Sequence, residues 1–325
     1  MTTALHQAAL AGWIPFKLRN GTEVQWLYTG TQPYTDPFFD ETISKCKSFP
    51  ENNHLKRSAS SCDMLEEWSL VGDTLPPSAV IFHVSRCGST LLAQLMGLDS
   101  NNIALAEVPF FDDLLRAKYK PGGKDLSHLL PHAVSFYTQK RRGGEKKAFI
   151  KADSWHLFFY DQLRALYPNI PFILLYRRPD EVIASQEKRR GMHAVPGVVE
   201  NEIFELGELP DYTHPLNTYM AAVLQQYYQK MQQIRAVDDL SYLINYNEGF
   251  VAITEKLYEL TGTILTPEAR QSVAERCSYD AKEPYKKFSS ELLDDNAPSE
   301  YMEKAFEEYH RLEQLRKKDI INVSL

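Results

Sequence analysis

Three short stretches of this chain carry side chains that can work on an anion. The first is Ser85-Arg86-Cys87-Gly88-Ser89-Thr90, directly after the apolar run 79–84. Gly88 permits a sharp bend. Ser89 and Thr90 can cap a helix that Leu91, Leu92, Leu95 and Met96 continue. A strand, a tight turn and a helix start leave backbone N–H groups converging on one spot, where the helix dipole favours negative charge. Arg86 adds a fixed positive charge beside it, so the stretch is expected to grip a phosphate. The second and third stretches, Lys151-Ala152-Asp153 and Arg177-Arg178, lie at the ends of two further apolar runs, 148–152 and 171–176.

The elements that must position these groups follow from periodicity and punctuation. Short β-rich runs at 79–84, 103–106, 148–152, 171–176 and 240–246 alternate with helical patterns. The helices are expected after Gly88, from Pro109 to about Tyr119, over 126–141, and from Trp155 to Tyr167. Others are expected at 179–190, 216–236, 248–260, 267–276 and 298–317. Alternation of this kind predicts an α/β fold with a central, mostly parallel sheet covered on both faces. Ligands in such sheets bind at the carboxyl ends of the strands, where all three stretches fall. Residues 1–75 are expected to form a helical and irregular N-terminal extension rich in aromatics, and 76–325 the α/β domain. The Gly- and Pro-rich stretch 191–215 is expected to be a lid.

Composition narrows the partners. The 325 residues carry a net charge of −7, which gives a nucleic-acid partner no support. The cysteines Cys46, Cys62, Cys87 and Cys277 are scattered without metal-binding spacing, so no metal is expected, and they fit a reducing cytoplasm. Residues 1–10 lack the basic start and long apolar core of a signal peptide. No apolar run approaches the roughly 18 residues needed to cross a membrane.

The anion loop is neither of two common types. A Walker A motif needs a lysine where Ser89 stands, and a cysteine-phosphatase loop needs an arginine where Ala93 stands. The pair formed by Arg86-Cys87-Gly88-Ser89-Thr90 and by Arg177-Arg178-Pro179 through Ser185 resembles the sulfotransferases that use 3′-phosphoadenosine 5′-phosphosulfate (PAPS). Cys87 departs from the family's usual serine. The resemblance implies a P-loop-like three-layer sandwich. It also implies transfer of a sulfuryl group to an acceptor hydroxyl or amine by in-line displacement. Residues 86–90 would hold the 5′-phosphosulfate and Arg177 with Ser185 the 3′-phosphate. Lys151 would meet the bridging oxygen and the sulfonate. Tyr246 would lie against the adenine, and Lys282 would stand in for an absent C-terminal phosphate loop. For the catalytic base the candidates are Glu107, Asp153 and His156, with Glu107 favoured and a pKa raised by burial expected of it.

Structural readings stand beside these. Asp153 can simply cap the helix that begins near Trp155, and Glu107 can complement the dipole of the helix at Pro109. His83 reads as a packed core histidine. Lys188, Arg189 and Arg190 read as a solvated face, with contact to an anionic acceptor as the alternative. The rival functions are an ATP-using P-loop phosphotransferase and a nucleotide-binding module without turnover. The acceptor is expected to be a small molecule, a glycan or a peptide, entering over 107–120 and 191–215.

Overall fold

The computed structural model describes residues 9–53, 58–70, 72–207, 215–281 and 299–323. Five strands are nearly continuous runs of buried residues: β4 (Pro77–His83), β5 (Asn102–Ala106), β6 (Lys147–Lys151), β7 (Phe172–Tyr176) and β8 (Ser241–Asn245). Strands apolar on both faces need cover on both faces, and helices flank the sheet they form. Its order is β5-β6-β4-β7-β8, and every neighbouring pair is parallel. The architecture is therefore α/β with an all-parallel central sheet.

The order fixes where a site can form. From β4 the chain runs to one edge of the sheet, at β5. From β7, the neighbour of β4, it runs to the other edge, at β8. The connections leaving β4 and β7 diverge, which opens a crevice at their carboxyl ends. The helices Ser89–Leu98 and Pro179–Lys188 start there.

The N-terminal segment differs from the helical and irregular extension expected of it. It contains the helices Phe39–Cys46 and Asp63–Ser69, but also an antiparallel sheet of β1 (Trp13–Arg19), β2 (Glu23–Tyr28) and β3 (Ala59–Ser61). The cause is local. Asn20 and Gly21 both take positive φ (51° and 67°), the geometry of a two-residue hairpin turn whose twist matches the flanking strands. Its aromatics serve packing. Trp26 meets Phe136 edge-on at 4.9 Å, Phe39 meets Tyr137 at 5.2 Å, and Ile14, Val24 and Leu27 join the same apolar core as the large sheet.

Among the described residues, no helix is long and apolar enough to cross a membrane. The four cysteines are unpaired with one another.

Candidate functional site

The anion loop is built from backbone that only a held turn can adopt. Ser85, Arg86 and Gly88 have φ of 64°, 48° and 75°. At Gly88 a Cβ would fall 2.1 Å from Cζ of Phe250, so glycine is required by space as well as by φ. His83, expected to be core filling, anchors the loop. Its Nδ1 accepts from the Ser85 N–H (3.0 Å), which leaves the proton on Nε2, facing the Ala152 carbonyl at 3.0 Å. Burial lowers the His83 pKa, so the ring is neutral in this role. Cys87 sends its thiol the other way, toward the Leu175 carbonyl in the core (3.6 Å), and burial pushes its pKa up to about 11. Only its backbone can serve a ligand.

At the carboxyl edge of the sheet lies a cavity of about 570 Å³. Arg86, Gly88, Ser89, Thr90, Glu107, Asp153, Arg177, Ser185 and Tyr246 all line it. Arg177 joins the two distant stretches directly, since its Nη1 donates to the Arg86 carbonyl at 3.0 Å. Its Nε pairs with Glu181 (2.8 Å), and its guanidinium stacks 4.2 Å from the Tyr246 ring. Arg178 turns away, paired with Asp180 at 2.8 Å and lying over Phe306. Lys282 lies outside the described residues.

Two further arginines, read mainly as solvent-facing, reach the site. Arg189 and Arg190, read as a solvated face, line the cavity. Their signal was position: they follow directly on the helix Pro179–Lys188 that leaves β7, and Arg189 is its C-cap residue with extended backbone. Among the described residues Arg189 has no ion-pair or hydrogen-bond partner. The Arg86 Nε is buried without an acceptor, and burial, with repulsion from Arg189, lowers the pKa of its guanidinium. Glu107 offsets that repulsion only in part, and two guanidinium groups set near each other suit an anion.

The other half of the cavity is acidic. Glu107, at φ 54°, follows β5 and is hydrogen-bonded through its backbone N–H to the Lys151 carbonyl (2.9 Å). Its carboxylate pairs with the Lys151 ammonium and lies 3.4 Å from His83 Nε2. Burial alone would raise the Glu107 pKa. Lys151 and His83 outweigh it, and the carboxyl is held well below its usual range. This corrects the expectation of a raised pKa. Lys151, 1% exposed, does not line the cavity, and its ammonium is engaged by the Glu107 carboxylate.

Asp153 is pushed the opposite way. Burial, then the charges of Glu107 and Asp112, raise its pKa well above the usual value. It also caps the segment Ser154–Phe159 in a reciprocal box with His156, as the structural reading expected. His156 does not line the cavity. Its Nδ1 faces the Asp153 N–H at 3.3 Å, so Nε2 carries the proton and donates to Asp112 at 3.1 Å. Asp112, which the sequence reading overlooked, also accepts from Trp155 Nε1 (2.6 Å) and Arg116 (2.9 Å). Asp112, Asp153 and His156 offer ligand atoms within 4.8 Å of one another, the spacing of a metal cluster. The Nε2 proton and these donors make the trio a hydrogen-bonded network.

Of the expected lid, residues 208–214 lie outside the described residues. The described part is packed: Ala194, Val199, Ile203 and Phe204 are buried. Arg116 fastens it, holding Glu200 at 2.7 Å and the Val198 carbonyl at 3.3 Å.

No family model and no curated protein matches this chain. Among solved structures it is similar to a sulfotransferase domain from the curacin biosynthetic pathway, at 15% identity over 74% of this chain and 99% of that one, with a TM-score of 0.48. It is also similar to a sulfotransferase from Mycobacterium avium (14% identity, 77% and 80% covered, TM-score 0.47). A third is a sulfotransferase from Mycobacterium tuberculosis H37Rv (14%, 65% and 74%, TM-score 0.40).

Proposed function

We propose that this chain is a sulfotransferase that takes its sulfuryl group from PAPS and delivers it to an acceptor hydroxyl. The observation that carries this reading is the meeting of residues 86–90 with Arg177 and Ser185 around one cavity, although Arg86 and Arg177 are 91 positions apart. A ligand with one phosphate needs only one of these anion sites. A nucleotide phosphorylated at both 5′ and 3′ positions uses both.

The residues present fit that donor. The backbone N–H groups at the start of the helix Ser89–Leu98 and the unpartnered Arg86 Nε suit the 5′ end. Arg177 and the Ser185 hydroxyl suit a 3′-phosphate, and each charge-assisted bond contributes about 1.5–3 kcal/mol. The Tyr246 ring, already stacked on Arg177, offers a face to the base. The donor supplies a sulfur that bonds to the acceptor oxygen as its bond to the 5′-phosphate oxygen breaks. Sulfuryl transfer, like phosphoryl transfer, asks the protein mainly for positioning and for stabilisation of the leaving phosphate. Arg86 and the loop N–H groups give that stabilisation. Glu107 is kept ionised by Lys151 and His83, so it is ready to take the acceptor's proton. A bound polyanion raises its pKa toward a useful value. Asp153, protonated, donates a hydrogen bond into the cavity.

Thermal-shift titration with 3′-phosphoadenosine 5′-phosphate (PAP), ADP and ATP with magnesium tests the reading. PAP at a hundred times its Kd adds about 2.7 kcal/mol of stability. We expect selective stabilisation by PAP that Arg177→Ala removes. Equal stabilisation by ADP would eliminate the 3′-phosphate site, and stabilisation by ATP with magnesium alone would favour a phosphotransferase.

A further inference from the structure

One buried histidine of the cavity wall has no role yet. His193 lies on the short turn Met192–Ala194, in the segment expected to be a lid, and is 2% exposed while lining the cavity. Its ring is held by packing. The ring centroids of Trp155 and Tyr227 lie 6.4 Å and 6.3 Å from its own, and a Cβ at Gly191 would fall 2.9 Å from its Cε1. Glycine at 191 leaves the ring its place.

Hydrogen bonds fix which ring nitrogen carries the proton. Gln186, buried on the helix Pro179–Lys188, accepts from the Gly191 N–H through Oε1 at 2.8 Å, and this orients its amide. The amide nitrogen therefore faces the ring and donates to His193 Nε2 at 3.1 Å. It also lies 3.4 Å from Ser85 Oγ, at the start of the anion loop. An Nε2 that accepts leaves the proton of a neutral ring on Nδ1. Burial lowers the His193 pKa to about 3, so the ring is neutral. Nδ1 has no acceptor among the described residues, and unlike the Arg86 Nε it is not sealed from solvent. The result is a fixed N–H donor, on a buried ring, that opens onto the cavity.

We propose that His193 binds the group being transferred, its Nδ1–H donating to a sulfonate oxygen of PAPS. The assignment rests on the sulfotransferase reading. A sulfur that leaves a phosphate beside Arg86 for an acceptor beside Glu107 passes between those two residues. The ring stands there: Gln186 ties it to Ser85, the neighbour of Arg86, and the charges of Arg86 and Glu107 both reach it. Arg86 and the loop N–H groups serve the phosphate side, while Lys151 is engaged by Glu107 and does not line the cavity. The tautomer also keeps His193 from competing with Glu107 for the acceptor's proton. Nδ1 already carries a hydrogen, and Gln186 occupies Nε2.

Two measurements test this. Long-range proton–nitrogen NMR of the histidine-labelled protein should show a protonated Nδ1 and a bare Nε2 at His193, unchanged from pH 5 to pH 8. Saturating PAPS should move the Nδ1 resonance away from its position with PAP, a readout on wild type that no variant's folding affects. Calorimetric titration then compares PAPS with PAP, which lacks only the sulfuryl group. His193→Phe keeps a ring between Trp155 and Tyr227 but removes the donor. It should weaken PAPS about ten- to hundred-fold, the worth of one hydrogen bond to a charged group, and change PAP less than about two-fold. His193→Asn sets an amide nitrogen in the place of Nδ1 and should keep most of the PAPS affinity. A protonated Nε2, equal Nδ1 positions with PAPS and PAP, or equal weakening of both ligands by His193→Phe overturns the proposal. Wild type that binds neither ligand removes the sulfotransferase reading and the proposal together, whereas PAP binding without a PAPS-specific effect removes the proposal alone.

Discussion

Replacing Lys151 by Met should reveal the pair beneath the cavity. Lys151 is 1% exposed, and the Glu107 side chain 21%. Removing one partner of a buried ion pair leaves the other charge uncompensated, at about 3–5 kcal/mol. Glu107→Gln strands the ammonium and should cost a similar amount, reduced slightly by the partial exposure of the carboxylate. The double variant strands neither charge. Its loss should therefore fall short of the sum of the two single losses by about 1–3 kcal/mol. Urea unfolding at pH 7, followed by the four tryptophans, gives all three numbers. The sign of the pH dependence is fixed too. Glu107 has a folded pKa below its unfolded one, so its contribution is complete above about pH 4.3 and is lost as pH falls below that. The gap between wild type and Lys151→Met should narrow in acid. Additive losses, or a gap that widens in acid, would refute the pairing argument.

Gly88→Ala places a Cβ in a left-handed residue, at about 1–2 kcal/mol, and drives it into the Phe250 ring, at about 1–3 more. Its melting temperature should drop and its PAP stabilisation disappear. Adding Phe250→Leu should restore part of the first and none of the second. Asp153→Asn keeps the cap, because asparagine caps as well as aspartate. Wild-type Asp153 has a raised folded pKa, so wild type loses stability as pH climbs above about 3.9, the ordinary value, and the variant does not. The stability advantage of the variant, measured by urea midpoints, should therefore grow from pH 4 to pH 8. Arg116→Met frees Glu200 and the Val198 carbonyl. Amides of 196–204 should exchange at least ten-fold faster, while those of β7 stay protected.

Much of this architecture was legible because the large sheet is buried on both faces. Burial turns β4 to β8 into apolar runs that stand out from the helices, and each observed strand falls within two residues of the sequence reading at either end. The N-terminal hairpin was legible too, through Asn20-Gly21, but its strands are half exposed and look irregular without that turn signal. The site was legible where motifs carry it and hidden where register does. Lys151 meets Glu107 because Ala106 and Lys151 are partners across β5 and β6. No property of either residue announces that pairing. Arg189 was hidden for another reason: an arginine at the end of a polar helix has the sequence signature of solvent exposure, and only the path of the chain after β7 turns it into the cavity.

The two acids at the ends of β5 and β6 show how one sheet edge produces two protonation states. Glu107 lies against the lysine that ends the neighbouring strand, and the loop histidine turns its N–H toward it. Asp153, two residues past that same lysine, feels burial and the charges of Glu107 and Asp112 more strongly than those of Lys151 and Arg116. A single cation at the end of β6 is committed to one of them, so the other must hold its proton. Opposite shifts on neighbouring carboxyl groups are the arrangement that separates a base from a hydrogen-bond donor. Here the register of β5 and β6 gives the lysine to Glu107, and His83, 3.4 Å from that carboxylate, adds to the separation.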